Sequence, residues 1–319
     1  MIFKGETELK PGTQRPTFDL VVAACGYESR ARFLLEHEGI RGSKNYALEF
    51  GDRRELAFDA NYQFFRSAGV VCTGVSDDGV SAWMAQAVAR VSKPRADGIV
   101  RVFVDISSQS RARLAGIVEG LELAGKSCCV EVVFGYALGA YSAPNESIVP
   151  NLSIGPVSPR FAGWSLHPEL PCALVVGLGY EEQRAMGAVE FLEPTDVWAL
   201  QPRSQIDEYT DALERANAEL LTSISGRHHV AYAVEDPNHT FAILNSLSLH
   251  LAGRANVVLL PSGPKILALL SLLTALVQRD IAVWRVTAGM AEVPADRRAS
   301  GTNIFVEAEF SPVRAEVGA

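Results

Sequence analysis

Short apolar runs alternate with longer amphipathic stretches along most of the 319-residue chain. The apolar runs are rich in β-branched residues, which favours strands, and the stretches between them have helical spacing. In the first half the pattern predicts strands at 20–24, 46–50, 70–74, 102–106 and 129–134, and helices at 29–38, 55–68, 80–92 and 111–123. In the second half it predicts strands at 173–176, 197–200, 230–234, 257–260 and 282–286. This alternation is typical of an α/β fold.

The same unit occurs twice in the sequence. FDLVVAACGYE at 18–28 aligns with PCALVVGLGYE at 171–181, so that Tyr27 lies opposite Tyr180, 153 positions later. Residues 102–135 align without a gap to 256–289, at an offset of 154. A nearly constant offset indicates internal duplication. We therefore predict two tandem Rossmann-like, doubly wound, mostly parallel sheets, with a first repeat at 1–157, a connector at 158–171 and a second repeat at 172–319.

The loop after the first strand of each repeat carries Gly-Tyr-Glu, starting at Gly26 and at Gly179. Ligands of open parallel sheets bind beyond the carboxyl ends of the strands, near the point where the strand order reverses. The tyrosine offers a stacking face and a hydroxyl. Alternatively, the glycine only serves a turn and the tyrosine packs on the sheet edge. The candidate ligand-binding residues in these loops are Tyr27, Glu28, Tyr180 and Glu181.

The loop after the fourth strand of each repeat combines small residues with one cation. The candidate ligand-binding residues here are Ser107, Ser108 and Arg111 in the first repeat and Ser262, Gly263 and Lys265 in the second. The start of a helix presents free backbone N–H groups that attract phosphate. Helix capping is the alternative role for the serines. A cation is unfavourable at this end of a helix, and finding Arg111 and Lys265 at matched positions favours an anion site.

At these residues the chain resembles a known family. The strand, Ser262-Gly263-Pro264-Lys265 and the apolar helix at 266–277 resemble the strand, Gly-Thr-Lys loop and helix of CRISPR-associated Rossmann fold (CARF) domains. Two such units in one chain look like the SAVED sensor of cyclic-oligonucleotide antiphage systems. The resemblance implies a cyclic oligonucleotide messenger bound in a basic crevice between paired Rossmann-like units. The chain departs from the family pattern at Pro264, where the family has Thr, and at Gln109, where it has Gly.

Composition restricts the class of protein. Hydrophobic residues make up 48% of the chain, which is enough for a buried core. The 29 Lys and Arg residues and 37 Asp and Glu residues give a net charge of −8, the wrong sign for general nucleic-acid binding. The start of the chain has no secretory signal pattern and the longest apolar run, 266–277, is too short to cross a bilayer. We expect a cytoplasmic protein without membrane partners.

Cofactor and metal motifs are weak. Gly177-x-Gly179 is only a fragment of the dinucleotide-binding pattern, so no cofactor is predicted. The 5 cysteines include no C-x-x-C pair, which indicates reduced, buried thiols. A metal site formed by His229, Asp236 and His239 is an alternative to a simple polar loop, and we favour the loop and predict no metal.

Three functions remain open at this point. The leading hypothesis is a sensor that binds a nucleotide-like, phosphate-bearing ligand between the two halves, in antiviral signalling, with a separate effector protein. The second is a metal-independent phosphodiesterase that degrades such a messenger, with Glu28 or Glu181 accepting a proton. The third is an adaptor whose duplicated sheets present a protein-binding face.

Overall fold

The computed structural model describes residues 1–8, 17–51, 53–92, 98–143, 151–163, 167–203, 207–287, 289 and 294–312. Contacts divide the chain into two units. Unit 1 comprises Met1–Ala140 and Pro294–Ala319, and unit 2 comprises Tyr141–Val293.

The observed elements follow the predicted alternation. The strands are β1 (Ile2–Glu6), β2 (Phe18–Cys25), β3 (Gly42–Glu49), β4 (Val71–Gly74), β5 (Ile99–Asp105), β6 (Cys129–Gly139), β7 (Ser153–Pro156), β8 (Cys172–Gly177), β9 (Asp196–Arg203), β10 (His229–Ala233), β11 (Asn256–Pro261), β12 (Ala282–Thr287) and β13 (Ala299–Phe310). The α-helices are α1 (Phe33–His37), α2 (Phe58–Ser67), α3 (Val80–Val91), α4 (Arg111–Ala124), α5 (Arg184–Leu192), α6 (Asp207–Ala216), α7 (Ala218–Ser223), α8 (Pro237–Leu251) and α9 (Lys265–Val277). Short 3-10 helices cover Ser29–Arg32, Asp77–Gly79, Pro159–Phe161 and Gly226–His228. Every predicted strand and helix overlaps an observed element.

Unit 1 contains a sheet with the strand order β1-β13-β6-β5-β2-β3-β4. Strands β2 to β6 pair in parallel, whereas β13 is antiparallel to both β6 and β1. Counted from β2, the parallel strands have the order 3-2-1-4-5, which reverses between β2 and β5. The register pairs Val22 with Val104, so both strands end at the same edge of the sheet.

Unit 2 repeats this topology. Its sheet has the order β10-β9-β8-β11-β12-β7, and all pairs are parallel except β12 with β7. Counted from β8, the parallel strands again have the order 3-2-1-4-5, with the reversal between β8 and β11. The prediction of two Rossmann-like, mostly parallel sheets that arose by duplication is confirmed.

The last strand of each predicted repeat pairs with the sheet of the other unit. β7 lies in the first predicted repeat but pairs with β12 in unit 2, and β13 lies in the second predicted repeat but pairs with β6 in unit 1. The predicted boundaries at 157 and 172 therefore differ from the units of the structure. Each of these strands comes last in its predicted repeat, but the sheet that it joins depends on long-range pairing that the alignment of the two repeats does not report.

Helices α4 and α9 occupy equivalent places after the fourth parallel strand of each sheet. In α9, residues 266–276 are all buried, which explains why the helix is apolar on every side. In α4, the Ser110 hydroxyl accepts a hydrogen bond from the Arg113 amide at 3.2 Å and caps the helix. Burial of both helices fixes their first turns at the point where the strand order reverses. Within the described ranges, no helix combines the length and apolarity needed to cross a bilayer.

Candidate functional site

The two loops that the sequence analysis singled out meet in unit 1. They follow β2 and β5, the strands between which the order reverses. A Cβ added to Gly26 would lie 2.8 Å from the Ser108 hydroxyl, so the loops are in direct contact at this glycine. In unit 1, the switch point thus brings Gly26-Tyr27-Glu28 and the start of α4 to one place.

The equivalent loops of unit 2 are packed backbone against backbone. Gly263 has a φ of +77°, which favours glycine, and a Cβ there would collide with the Leu178 carbonyl oxygen. A Cβ on Gly179 would lie 3.1 Å from the Gly263 nitrogen. The glycines that the sequence analysis noted in unit 2 are therefore required by the close approach of the two loops.

A buried asparagine supports the Gly-Tyr-Glu loop in each unit. The Asn61 side-chain amide donates to the Gly26 carbonyl at 2.8 Å and to the Glu28 carbonyl at 2.9 Å. The Asn217 amide donates to the Gly179 carbonyl at 2.7 Å. The two asparagines lie 156 positions apart, close to the duplication offset, and this spacing is the sequence signal that could have identified them. Both loops are thus held rigidly by the same contact.

Glu28 forms a buried ion pair. Its carboxylate accepts a hydrogen bond from Arg30 Nε at 2.6 Å, and Arg30 also donates to the Ala137 carbonyl at 3.1 Å. Burial disfavours the charged guanidinium, but the interactions with Glu28 and Tyr136 together outweigh it, so that the pKa of Arg30 is raised. The predicted ligand-binding residue Glu28 therefore has an internal charged partner.

An internal carboxylate also covers the helix start that follows β2. Asp296 accepts hydrogen bonds at 2.6 Å from both the backbone nitrogen and the hydroxyl of Ser29. The next amide, of Arg30, donates to the Arg297 carbonyl at 3.1 Å. In dinucleotide-binding folds this helix start holds the pyrophosphate. In unit 1 the Asp296 carboxylate is the anion at that position.

The predicted serines of unit 1 have different surroundings. Ser107 is fully buried; its hydroxyl accepts a hydrogen bond from the Ala137 amide at 2.8 Å, and its own amide donates to Asp105 at 2.8 Å. Ser107 thus links the loop to the sheet. Ser108 lies beside Gly26 where the two loops meet. In unit 2, Ser262 is buried and its amide donates to the Leu260 carbonyl at 3.0 Å.

The matched cations lie where the sequence places them. Helix α4 begins at Arg111 and α9 begins at Lys265, and both side chains are half-buried. The two helices have 14 and 13 residues, and each begins directly after the loop that contacts the Gly-Tyr-Glu loop. A cation therefore lies at the positive end of a long helix in both units.

Arg113 is a central residue of this edge that the sequence analysis missed. Its buried guanidinium donates to the Val75 carbonyl at 3.0 Å and to Asp77 at 2.9 Å, and its carbon Cζ lies 3.9 Å from the centre of the Phe50 ring. The contacts join α4 to the segments after β3 and β4. The residue 154 positions later is Leu267, so no duplicated cation marks Arg113 in the sequence.

The two predicted tyrosines are half-buried at the ends of β2 and β8. In unit 2, Tyr180 is the first member of an aromatic cluster. Its ring centre lies 5.5 Å from that of Tyr209, which lies 5.0 Å from that of Tyr141. The adjacent Glu181 is half-buried, and its backbone carbonyl accepts a hydrogen bond from the Arg184 amide at 3.4 Å. Tyr180 thus extends the switch point of unit 2 with an aromatic surface.

The alternative metal site is divided by a strand. His229 begins β10, whereas Asp236 and His239 follow its end, where Asp236 accepts a hydrogen bond from the His239 amide at 2.9 Å. No group of histidine, cysteine and acidic residues suited to a metal occurs among the described residues. The five cysteines, all within the described ranges, form no disulfide, but the expectation of buried thiols holds only for Cys25, whereas Cys72, Cys128, Cys129 and Cys172 are partly exposed. Burial raises the pKa of the Cys25 thiol.

Comparisons with known proteins define no class narrower than the Rossmann-like α/β fold described above. No family model matches the chain, and no curated protein matches it. Among solved structures, the chain is similar to a T. thermophilus 16S rRNA N2 methyltransferase in complex with AdoMet and guanosine. The identity is 9%, the alignment covers 96% of this chain and 93% of that chain, and the TM-score is 0.19. A TM-score of this size carries no argument about function.

Proposed function

We propose that this chain is a sensor that binds a nucleotide-like, phosphate-bearing ligand at its switch points. One observation carries the proposal: in both units, the two switch-point loops touch, and a long helix begins there at a cation. Arg111 and Lys265 lie at the positive ends of α4 and α9, where the side-chain cation and the backbone N–H groups of the helix start can bind one anion together. A phosphate supplies that anion and accepts hydrogen bonds from both the helix start and the cation.

The class of ligand in the proposal comes from the resemblance to CARF and SAVED proteins. That resemblance implies a cyclic oligonucleotide messenger, a role in antiviral signalling and a separate effector protein. The geometry supports the phosphate-binding part of the proposal. The contact at Ser29 adds to that support, because a carboxylate of the chain already covers one helix start at the switch point of unit 1 and α4 begins at the other.

The contacts of Glu28 favour binding over cleavage. Metal-free cleavage of a phosphodiester needs a group that takes a proton from the attacking hydroxyl. The Glu28 carboxylate is buried and already accepts a hydrogen bond from Arg30 Nε at 2.6 Å, so an internal charged partner occupies the group that would have to take this proton. We therefore expect no rapid turnover of cyclic oligonucleotides in the presence of EDTA, measured by chromatography of the products.

Calorimetric titration with linear and cyclic nucleotides tests the proposal. Lys265→Glu and Arg111→Glu should each weaken binding at least about 100-fold, because a charge-assisted bond is replaced by repulsion. Both variants should melt within a few degrees of the native chain. Lys126→Glu is the matched control, because Lys126 is exposed beyond the other end of α4, and it should bind normally. Unchanged affinity in both test variants would contradict the proposal.

A further inference from the structure

Gln109 has an unusual environment in the loop between β5 and α4. Its side chain is 1% exposed, and neither Oε1 nor Nε2 has a hydrogen-bond partner among the described residues. Buried amides are almost always hydrogen-bonded, because removing them from water without a new partner is unfavourable. An amide with both ends unpartnered therefore needs an explanation beyond packing.

A second unpartnered atom lies at the same edge of unit 1. Asn61 uses its amide nitrogen to hold the carbonyls of Gly26 and Glu28, whereas its Oδ1 is buried and has no partner among the described residues. Gln109 directly follows Ser108 in the loop after β5, and Asn61, in α2, donates to the carbonyl of Gly26, so both residues adjoin the contact between Gly26 and Ser108. Three buried polar atoms without a hydrogen-bond partner in the described part of the chain, Gln109 Oε1, Gln109 Nε2 and Asn61 Oδ1, thus lie near the switch point of unit 1, where the proposed function places the ligand.

The two units differ at this position. The residue 154 positions after Gln109 is Gly263, which has no side chain and has a φ of +77°. At Gly263 the backbone of the loop approaches Leu178 too closely for any side chain. The amide is therefore a property of unit 1, although the cation at the start of the helix is common to both units.

We propose that Gln109 reads the hydrogen-bonding edge of a nucleobase in unit 1, while the switch point of unit 2 holds phosphate without reading a base. A glutamine amide presents a donor and an acceptor in one plane, which matches a base edge that carries an adjacent acceptor and donor. The amide is covered in the ligand-free chain, so its side chain must rotate or the adjoining loop must shift when a base enters. The inference rests on the proposed function and adds specificity to it.

Titration of the full chain with the four nucleoside 5′-monophosphates and with ribose 5-phosphate tests this inference. At least one nucleotide should bind about tenfold or more tightly than ribose 5-phosphate, as expected for a paired amide contact. Gln109→Leu should abolish this difference in affinity between nucleotide and ribose 5-phosphate, and it should leave the affinity for ribose 5-phosphate unchanged. It should also keep or raise the melting temperature, because it removes an unpartnered buried amide.

Gln278→Leu is the matched control. The Gln278 amide is satisfied, since it donates to Asn245 Oδ1 at 2.6 Å and to the Asn245 carbonyl at 3.2 Å. This variant should lower the melting temperature and keep the ratio between nucleotide and ribose phosphate. Gln109→Glu is nearly isosteric but lacks the amide donor. If the leucine variant does not fold, this variant provides a second measurement of the affinity ratio between nucleotide and ribose 5-phosphate.

The outcomes separate this inference from the proposed function. Equal binding of ribose 5-phosphate and all four nucleotides by the native chain would overturn the base-reading role and leave phosphate binding standing. A Gln109→Leu variant that melts earlier and keeps the ratio would show that the amide holds internal water, and would also overturn it. Failure of every phosphate compound to bind would overturn the proposed function together with this inference.

Discussion

Arg113→Ala should strongly destabilise unit 1. The guanidinium is buried, and its bonds to the carbonyls of Val75 and Leu48 measure 3.0 and 3.4 Å. Bonds from a charged donor contribute about 1.5 kcal/mol each, and a desolvated cation–π contact such as that with Phe50 contributes about 1–2 kcal/mol. The pair with Asp77 adds less than about 1 kcal/mol, because the Asp77 side chain is 46% exposed. The expected loss is about 4 kcal/mol.

Thermal unfolding followed by circular dichroism measures this loss. For a unit of this size, about 4 kcal/mol corresponds to a fall of about 8–16 °C in the melting temperature of the transition that reports unit 1. Arg111→Ala is the matched control on the same helix and should shift that transition by only a few degrees, because its side chain is half-buried. Asp77→Asn should have a similarly small effect. A fall of less than about 3 °C for Arg113→Ala would refute the reasoning.

Three further predictions concern unit 1. Asp296→Ala should lower the free energy of unfolding, measured by chemical denaturation, by about 2–3 kcal/mol, because both hydrogen bonds to Ser29 are lost. Ser29→Ala removes only the bond from the hydroxyl and should lower it by about half as much. Equal losses would argue against the two-bond geometry. The hydrogen bond from Lys4 lowers the pKa of Glu309, so the coupling between them in a double-mutant cycle should be constant through neutral pH and be lost only as the pH falls below the ordinary pKa of a glutamate and through the lowered pKa of Glu309. Coupling that is unchanged in strong acid would contradict this. The Cys25 thiol, whose pKa burial raises, should become labelled by a thiol reagent only after unfolding, as identified by peptide mapping that separates Cys25 from the four partly exposed cysteines, and labelling of Cys25 in the native protein at the rate of a free thiol would exclude the buried position.

Much of the fold follows from the sequence because duplication and apolar runs are local signals. The strand at 257–260 is an uninterrupted apolar run and that at 102–106 is apolar apart from Asp105, as strands covered on both faces require, and their alignment predicts the starts of α4 and α9. The sequence does not predict that β7 pairs with unit 2 and β13 with unit 1. Both join their sheets by antiparallel pairing with a partner distant in the sequence, β7 beside β12 and β13 between β6 and β1. An alternating pattern does not specify the sheet that a strand joins.

The site was predictable only where the two repeats agree. Tyr27 with Tyr180 and Arg111 with Lys265 are matched pairs, and the structure places each member at a switch point. Arg113 has no matched cation and Asp296 lies 267 residues from the serine that it caps. Such contacts depend on tertiary structure, in which the segment entering β13 returns to the loop after β2.

Hydrogen exchange measured by mass spectrometry, with and without a saturating cyclic oligonucleotide, tests the central claim most directly. The account predicts slower exchange in peptides that cover 26–32 and 106–114 in unit 1 and 178–184 and 261–268 in unit 2, because the ligand contacts these backbone segments. The segments at the other ends of the strands, such as 226–231, should exchange as before. A bound oligonucleotide that protects only regions away from these loops, or a complete panel of cyclic and linear nucleotides that fails to bind, would contradict the claim.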